Sequence, residues 1–233
     1  YTLRGQQNLE ELLDLGYLLD PPPVSGGSRN FDGVDDRISV ADQAALDLDD
    51  SDSIIVQALV KLDALPGALD FFMGKRVGEA AVDEGWSLHI NASNNIAFEV
   101  SDGTDQVSST VFAAAATTWY ALTGFVKANA AADDDVGLYR DLTSVGTTNS
   151  LILGTCANTR AVRVGADSAA TAGRFLDGDV AYSRVWVKSL ATWTQAEIDQ
   201  VVQAQNRLYL PAGWGPAAAP RPATRPHRAA LST

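Results

Sequence analysis

The stretch Trp86-Ser87-Leu88-His89-Ile90-Asn91-Ala92-Ser93-Asn94-Asn95-Ile96-Ala97-Phe98-Glu99-Val100 decides the fold. Apolar side chains at 86, 88 and 90, and again at 96, 98 and 100, fall on one face of two extended runs, since successive strand residues point to opposite sides. Asn94-Asn95 between them supplies residues that tolerate tight-turn geometry, so the stretch predicts a β-hairpin. His89, between Leu88 and Ile90, is expected to point away from the core.

The same grammar extends in both directions. Short β-rich runs at 30–31, 37–40, 53–62, 69–75, 107–112, 119–126, 136–139, 161–164 and 180–187 are separated by Asp-Gly, Pro-Gly and Ser-Asp-Gly turn chemistry. Many short strands without interspersed helices predict an all-β fold, an antiparallel two-sheet jelly-roll sandwich. One C-terminal capping helix follows. Thr194-Gln195-Ala196-Glu197 is a capping box, and Ile198, Val201 and Val202 form an apolar stripe at helical spacing.

Composition divides the chain into a body and two extended arms. Residues 1–28 form an N-terminal arm. Asn8 and Glu11 cap a short helix there, Leu9, Leu12 and Leu13 share one face, and Pro21-Pro22-Pro23 leads into a Ser/Gly linker. Residues 29–210 are the sandwich. Residues 211–233 are a Pro/Ala/Arg-rich tail that cannot bury enough apolar surface to offset its ordering entropy alone. Both arms are therefore expected to dock onto neighbouring molecules, with Trp193 and Trp214 as contact surfaces beside Arg221, Arg225 and Arg228.

The net charge of −12 is uneven. No acid follows Asp199, whereas Arg207, Arg221, Arg225 and Arg228 do, so an acidic body of net −16 carries an end of +4. Such a body repels phosphate backbones and excludes nucleic acid as a partner of the core. The uncharged run 106–126 is rich in Ser, Thr and Ala and broken at Thr117-Thr118, so it predicts two β runs and no membrane span. One Cys and two His exclude a disulfide, a thiolate cage and a His-based metal cluster. Cys156 is expected to be a small packed residue. The densest carboxylates, Asp47–Asp52 and Asp133-Asp134-Asp135, lack EF-hand spacing; the latter three are weak candidates for a calcium ion, and no other cofactor is expected. Asn91-Ala92-Ser93 is a glycosylation sequon.

Phe31-Asp32-Gly33-Val34-Asp35-Asp36 with the following Arg37-Ile38-Ser39-Val40, then Gly74-Lys75-Arg76, Gly85-Trp86-Ser87-Leu88, Trp119-Tyr120 and Gly178-Asp179-Val180 through Arg184-Val185-Trp186 resemble, in that order, the laminin-G-like and pentraxin-like domains of the concanavalin A-like lectin/glucanase superfamily. The resemblance covers about residues 30–203 and implies a jelly-roll sandwich, with Trp86, Trp119 and Trp186 in its core. Ala181 stands where the family often has Asp, which removes one carboxylate from any calcium site that depends on it. Asp141-Leu142 replaces an Asp-Gly turn. The Glu-x-Asp-x-x-Glu strand of the related glucanases is missing, so no enzyme activity is expected.

The sequence thus predicts a non-enzymatic assembly protein, a lectin-like sandwich decorating or cementing a large particle such as a viral capsid or tail. Its partners would be other protein subunits, including copies of itself, and it would sit on a virion or extracellular surface. The alternative is a carbohydrate-binding or adhesion module whose partner is a glycan.

Overall fold

The computed structural model describes residues 28–49, 51–78, 80, 83–128, 134–151, 154–169, 173–188 and 192–209. The expected arm residues Leu9, Leu12, Leu13, Trp214, Arg221, Arg225 and Arg228, and with them Asp133, lie outside these. The described residues form two antiparallel sheets. The first runs β1 (Arg29–Asp32), β13 (Asp177–Lys188), β3 (Ser53–Leu62), β9 (Trp119–Lys127), β10 (Asp134–Arg140), β11 (Thr143–Leu151). The second runs β2 (Ile38–Val40), β12 (Val162–Val164), β4 (Asp70–Gly74), β5 (Gly85–Ile90), β6 (Asn95–Ser101), β7 (Gln106–Ser108), with β8 (Phe112–Ala113) also on β6. This is the predicted jelly-roll sandwich.

The hairpin that decides the fold has the predicted register: Ile90 faces Ile96, Leu88 faces Phe98 and Trp86 faces Val100. All six are buried between the sheets with Val56, Ala58 and Val60 of β3 and Leu122 of β9. The sheets approach closely where Phe98 of β6 lies over Gly124 of β9, a position where any Cβ would overlap the phenyl ring. Asn94, at φ 59°, closes the turn.

The outer face of the first sheet is covered by α1 (Gln195–Tyr209). Its capping box forms as predicted: Glu197 N donates to Thr194 Oγ1 at 3.2 Å, and Thr194 N donates to Glu197 Oε2 at 2.8 Å. Ile198, Val201 and Val202 bury against Ile55 and Phe125. Beneath them Gln57 Nε2 donates to Thr123 Oγ1 at 3.0 Å and to Gln205 Oε1 at 3.1 Å, and Gln205 Nε2 donates to Leu122 O at 3.2 Å. A buried polar group without partners is costly, so this satisfied network fixes where the helix sits along the strands.

Three tryptophans differ from expectation. Trp193 is not a contact surface; it is buried beside Ile198 in the cluster under α1. Trp119 and Trp186 lie on the outer face of the first sheet, half-buried against the Leu59–Ala121 and α1 clusters, whereas Trp86 is in the core. The register explains this, because Trp186 pairs with Ile55 and Trp119 with Lys61, both outward positions of β3. Strand β11 was not foreseen. Its Thr-Ser-Val-Gly-Thr-Thr run carries no apolar alternation and is held by backbone pairing to β10 through a turn at Asp141, φ 58°.

Replacing Gly124 by Val should lower unfolding free energy by about 2–3 kcal/mol through overpacking against Phe98. Chemical denaturation measures it, and combining Gly124→Ala with Phe98→Leu should cost less than the sum of the two singles.

Candidate functional site

The ends of β1, β4 and β13 converge at one rim of the sandwich. Asp32 closes β1 directly opposite Asp177, which opens β13. Gly33, at φ 74°, turns the chain away and donates its N–H to Leu176 O at 3.0 Å. The left-handed conformation and the nearby Asp177 side chain both favour glycine here. Behind this turn the Phe31 ring sits over Gly165, where a Cβ would collide with it, and this anchors the β1 end to the chain leading into β13.

These elements enclose an open cleft of 430 Å³, lined by Asp32, Asp70, Asp177, Arg174, Leu69 and Phe175 among others. That volume is within the usual range for small-molecule sites. Asp32 Oδ1 accepts N–H bonds from Val34 at 2.9 Å and Asp35 at 3.4 Å, and these hold its carboxyl below the usual carboxylate range. Arg174 Nη1 donates to Val77 O at 2.5 Å and to Asp167 Oδ2 at 3.1 Å. Phe175 and Leu69 are half-buried and give the cleft an apolar wall.

Asp70 is the anomaly. It opens β4 ahead of Phe71 and Phe72, is only 9% exposed, and its carboxyl accepts no hydrogen bond among the described residues. Burial, reinforced by the Asp177 charge and opposed by Arg174, pushes its pKa up from 3.8 to about 6. Desolvation disfavours the charged form of a carboxyl. The cleft therefore holds an ionisable group that the protein itself leaves poorly solvated.

Two buried cations elsewhere are matched. Arg76 is fully buried yet pairs with Glu99 and donates to Asp83 O at 2.6 Å, Ala80 O at 2.9 Å and Gln106 Oε1 at 3.1 Å. Lys75 Nζ pairs with Asp47, lies 2.8 Å from Asp42 Oδ1 and donates to Asn158 O at 2.8 Å. These pairs hold loops to the sheet. Of the expected calcium candidates, Asp134 is buried and Asp135 pairs with Lys127. Among the described residues no group of three or more His, Cys, Asp or Glu side chains is placed to hold a metal.

His89 does face away from Leu88 and Ile90 but is buried there, with Nδ1 3.0 Å from Ser87 Oγ and its ring 5.9 Å from that of Phe71. Cys156 is packed as expected, its thiol pushed up to about 12 chiefly by burial. In the sequon, Asn91 Oδ1 accepts from Ser93 N and Asn95 N at 3.0 Å each and so shapes the hairpin turn. Sequence reasoning missed Asp70, Arg174 and Asp177 as a group. The available signal was Asp70 itself, an acid at the head of an otherwise apolar strand.

Because the folded state binds the Asp70 proton more tightly than the unfolded chain does, stability should fall as pH rises from about 4 through about 6. Asp70→Asn should remove that slope and raise stability at neutral pH by about 1–2 kcal/mol, the shift being discounted for solvent reaching the cleft. Thermal melts across this pH range measure both effects.

The family model of the concanavalin A-like lectin/glucanases superfamily matches residues 32–199. No curated protein sequence matches this one. Among solved structures, a native heptameric SAP-like pentraxin from Limulus polyphemus is similar at 11% identity and a TM-score of 0.50, covering 74% of this chain and 80% of its own. The sialidase NanB of Streptococcus pneumoniae, with optactamide, gives 16% identity and a TM-score of 0.52, covering 78% of this chain. Botulinum neurotoxin type C, described as depending on interaction with two ganglioside molecules, gives 10% identity and a TM-score of 0.51 over 76% of this chain. The chain spans 28% of the sialidase structure and 42% of the toxin structure. These identities speak for the fold alone, and among the described residues no helix is long and apolar enough to cross a membrane. The sandwich, its strand order and the family match over most of its length agree: the chain belongs to the concanavalin A-like lectin/glucanase superfamily.

Proposed function

We propose that the protein is a non-catalytic carbohydrate-binding module acting at an extracellular surface, with its ligand in the cleft at the β1–β4–β13 rim. The observation that carries this reading is Asp70, a buried carboxylate aimed into an open cleft with no hydrogen-bond partner of its own among the described residues. Sugar hydroxyls are donors that carboxylates accept from, and the apolar face of a pyranose suits a wall such as Leu69 and Phe175. The toxin neighbour, whose cell entry is described as dependent upon interaction with two ganglioside molecules, supports a glycan as the class of ligand.

The particle-assembly reading drew on the arm 1–28, the tail 211–233 and the uneven charge, and apart from Ser28 both arms lie outside the described residues.

The full chain applied to a broad glycan array should retain a defined subset of glycans. Asp177→Asn should weaken that binding by about tenfold, the loss of one strong hydrogen bond to a charged group. A chain that retains no glycan overturns the proposal. Release of reducing ends from the bound glycans would turn it into a hydrolase, since two facing carboxylates are what glycoside hydrolysis requires.

A further inference from the structure

The composition of the cleft bears on which glycans would fit it. Three carboxylates line it, from Asp32, Asp70 and Asp177, against one guanidinium, that of Arg174. Arg174 is already engaged, with Nη1 shared between Val77 O and Asp167 Oδ2, so Asp167 offsets its charge. The field inside the cleft is negative. Asp70 is nine-tenths buried and stripped of donors, and the exposed Asp177 is the neighbour whose charge it feels most. A ligand carboxylate entering here meets like charge in a partly desolvated site, where Coulomb repulsion is several times stronger than in water. A hydroxyl supplies a single neutral hydrogen bond. A protonated amine supplies three donors and the missing charge together, and charge-assisted hydrogen bonds are roughly twice as strong as neutral ones.

We infer that the cleft selects glycans bearing a free protonated amine, deacetylated amino sugars, seating the ammonium between Asp70 and Asp177 and the apolar sugar face against Leu69 and Phe175. This rests on the glycan-binding reading of the same cleft. A bound amine favours ionised Asp70, so affinity should rise with pH through about 6 and fall again at higher pH as the sugar amine loses its own proton. The charged groups facing Asp70 across the cleft are Asp32, Asp177 and Arg174, and the latter two act in opposite directions.

The test is calorimetry on the full chain with three probes: chitosan oligosaccharide, the N-acetylated chitooligosaccharide of equal length, and sialyllactose. At about pH 6.5, where Asp70 is mostly ionised and much of the sugar amine is still protonated, the deacetylated probe should bind about tenfold or more tightly than the acetylated one, with the advantage shrinking at about pH 5. The double variant Asp70→Asn with Asp177→Asn should lose that preference, while Asp105→Asn on the exposed 102–105 turn should keep it. Equal or tighter binding of the acetylated or sialylated probe overturns the amine preference and leaves the glycan-binding reading standing. Binding of none of the three at either pH removes the basis of both. An amine preference that survives the double variant reflects attraction to the acidic body as a whole and overturns the inference. So does glycan binding that calcium chloride restores and a chelator abolishes, because the cleft would then hold a metal ion.

Discussion

Strand β3 is buried on both faces, and the rest of the structure is arranged to keep it so. Its inward side chains Ile54, Val56, Ala58, Val60 and Leu62 meet the second sheet. Its outward Ile55 and Gln57 meet α1, and Leu59 meets Ala121 and Tyr182. A solvated sheet face would read as strict alternation of apolar and polar residues. Here Ser53-Ile54-Ile55-Val56-Gln57-Ala58-Leu59-Val60 reads as a nearly continuous apolar run because each face has its own cover. The strongly polar outward residue within that run, Gln57, is usable only because Gln205 and Thr123 complete its hydrogen bonds. Helix position and the half-buried place of Trp186 follow from covering this strand.

Buried charge is handled in two ways. Arg76 and Lys75 are deep, but every charge among them faces a carboxylate or a carbonyl, so desolvation is offset by geometry. Such pairs need not add stability over an apolar core, yet breaking one leaves an uncompensated charge. Asp70 is handled differently. It is nearly as buried, has a like charge as its main neighbour and receives no donor. Groups held at a cost to stability concentrate where ligands complete them, which is why this carboxyl, and not the more numerous surface acids, marks the site.

The sandwich was legible because strand alternation and turn chemistry are local. Trp86-Ser87-Leu88-His89-Ile90 pairs with 96–100 as its pattern requires, and Thr194 with Glu197 caps α1 as its spacing requires. Strand β11 was not foreseen and the expected 107–112 run divides into β7 and β8; each of these three adds just one apolar side chain to the core, Val145, Val107 and Phe112, so their local pattern is weak and backbone pairing sets their bounds. Trp119 and Trp186 were expected in the core because they lie in strands, and Trp193 at a contact surface because it lies outside them; which face of which layer a tryptophan occupies depends on register and on where the helix lands.

The sequence by itself determined the class of fold, the hairpin, the helix cap and the acidic charge of the body, since each depends on residues a few positions apart or on simple composition. The cleft was decided by tertiary structure. Asp32, Asp70 and Asp177 are far apart along the chain, and each alone is one acid among 29. Only the pairing of β1 with β13 and the start of β4 beneath them brings the three carboxylates together and takes water away from one. Desolvation and mutual repulsion are properties of separation in space, which a linear string of residues does not encode.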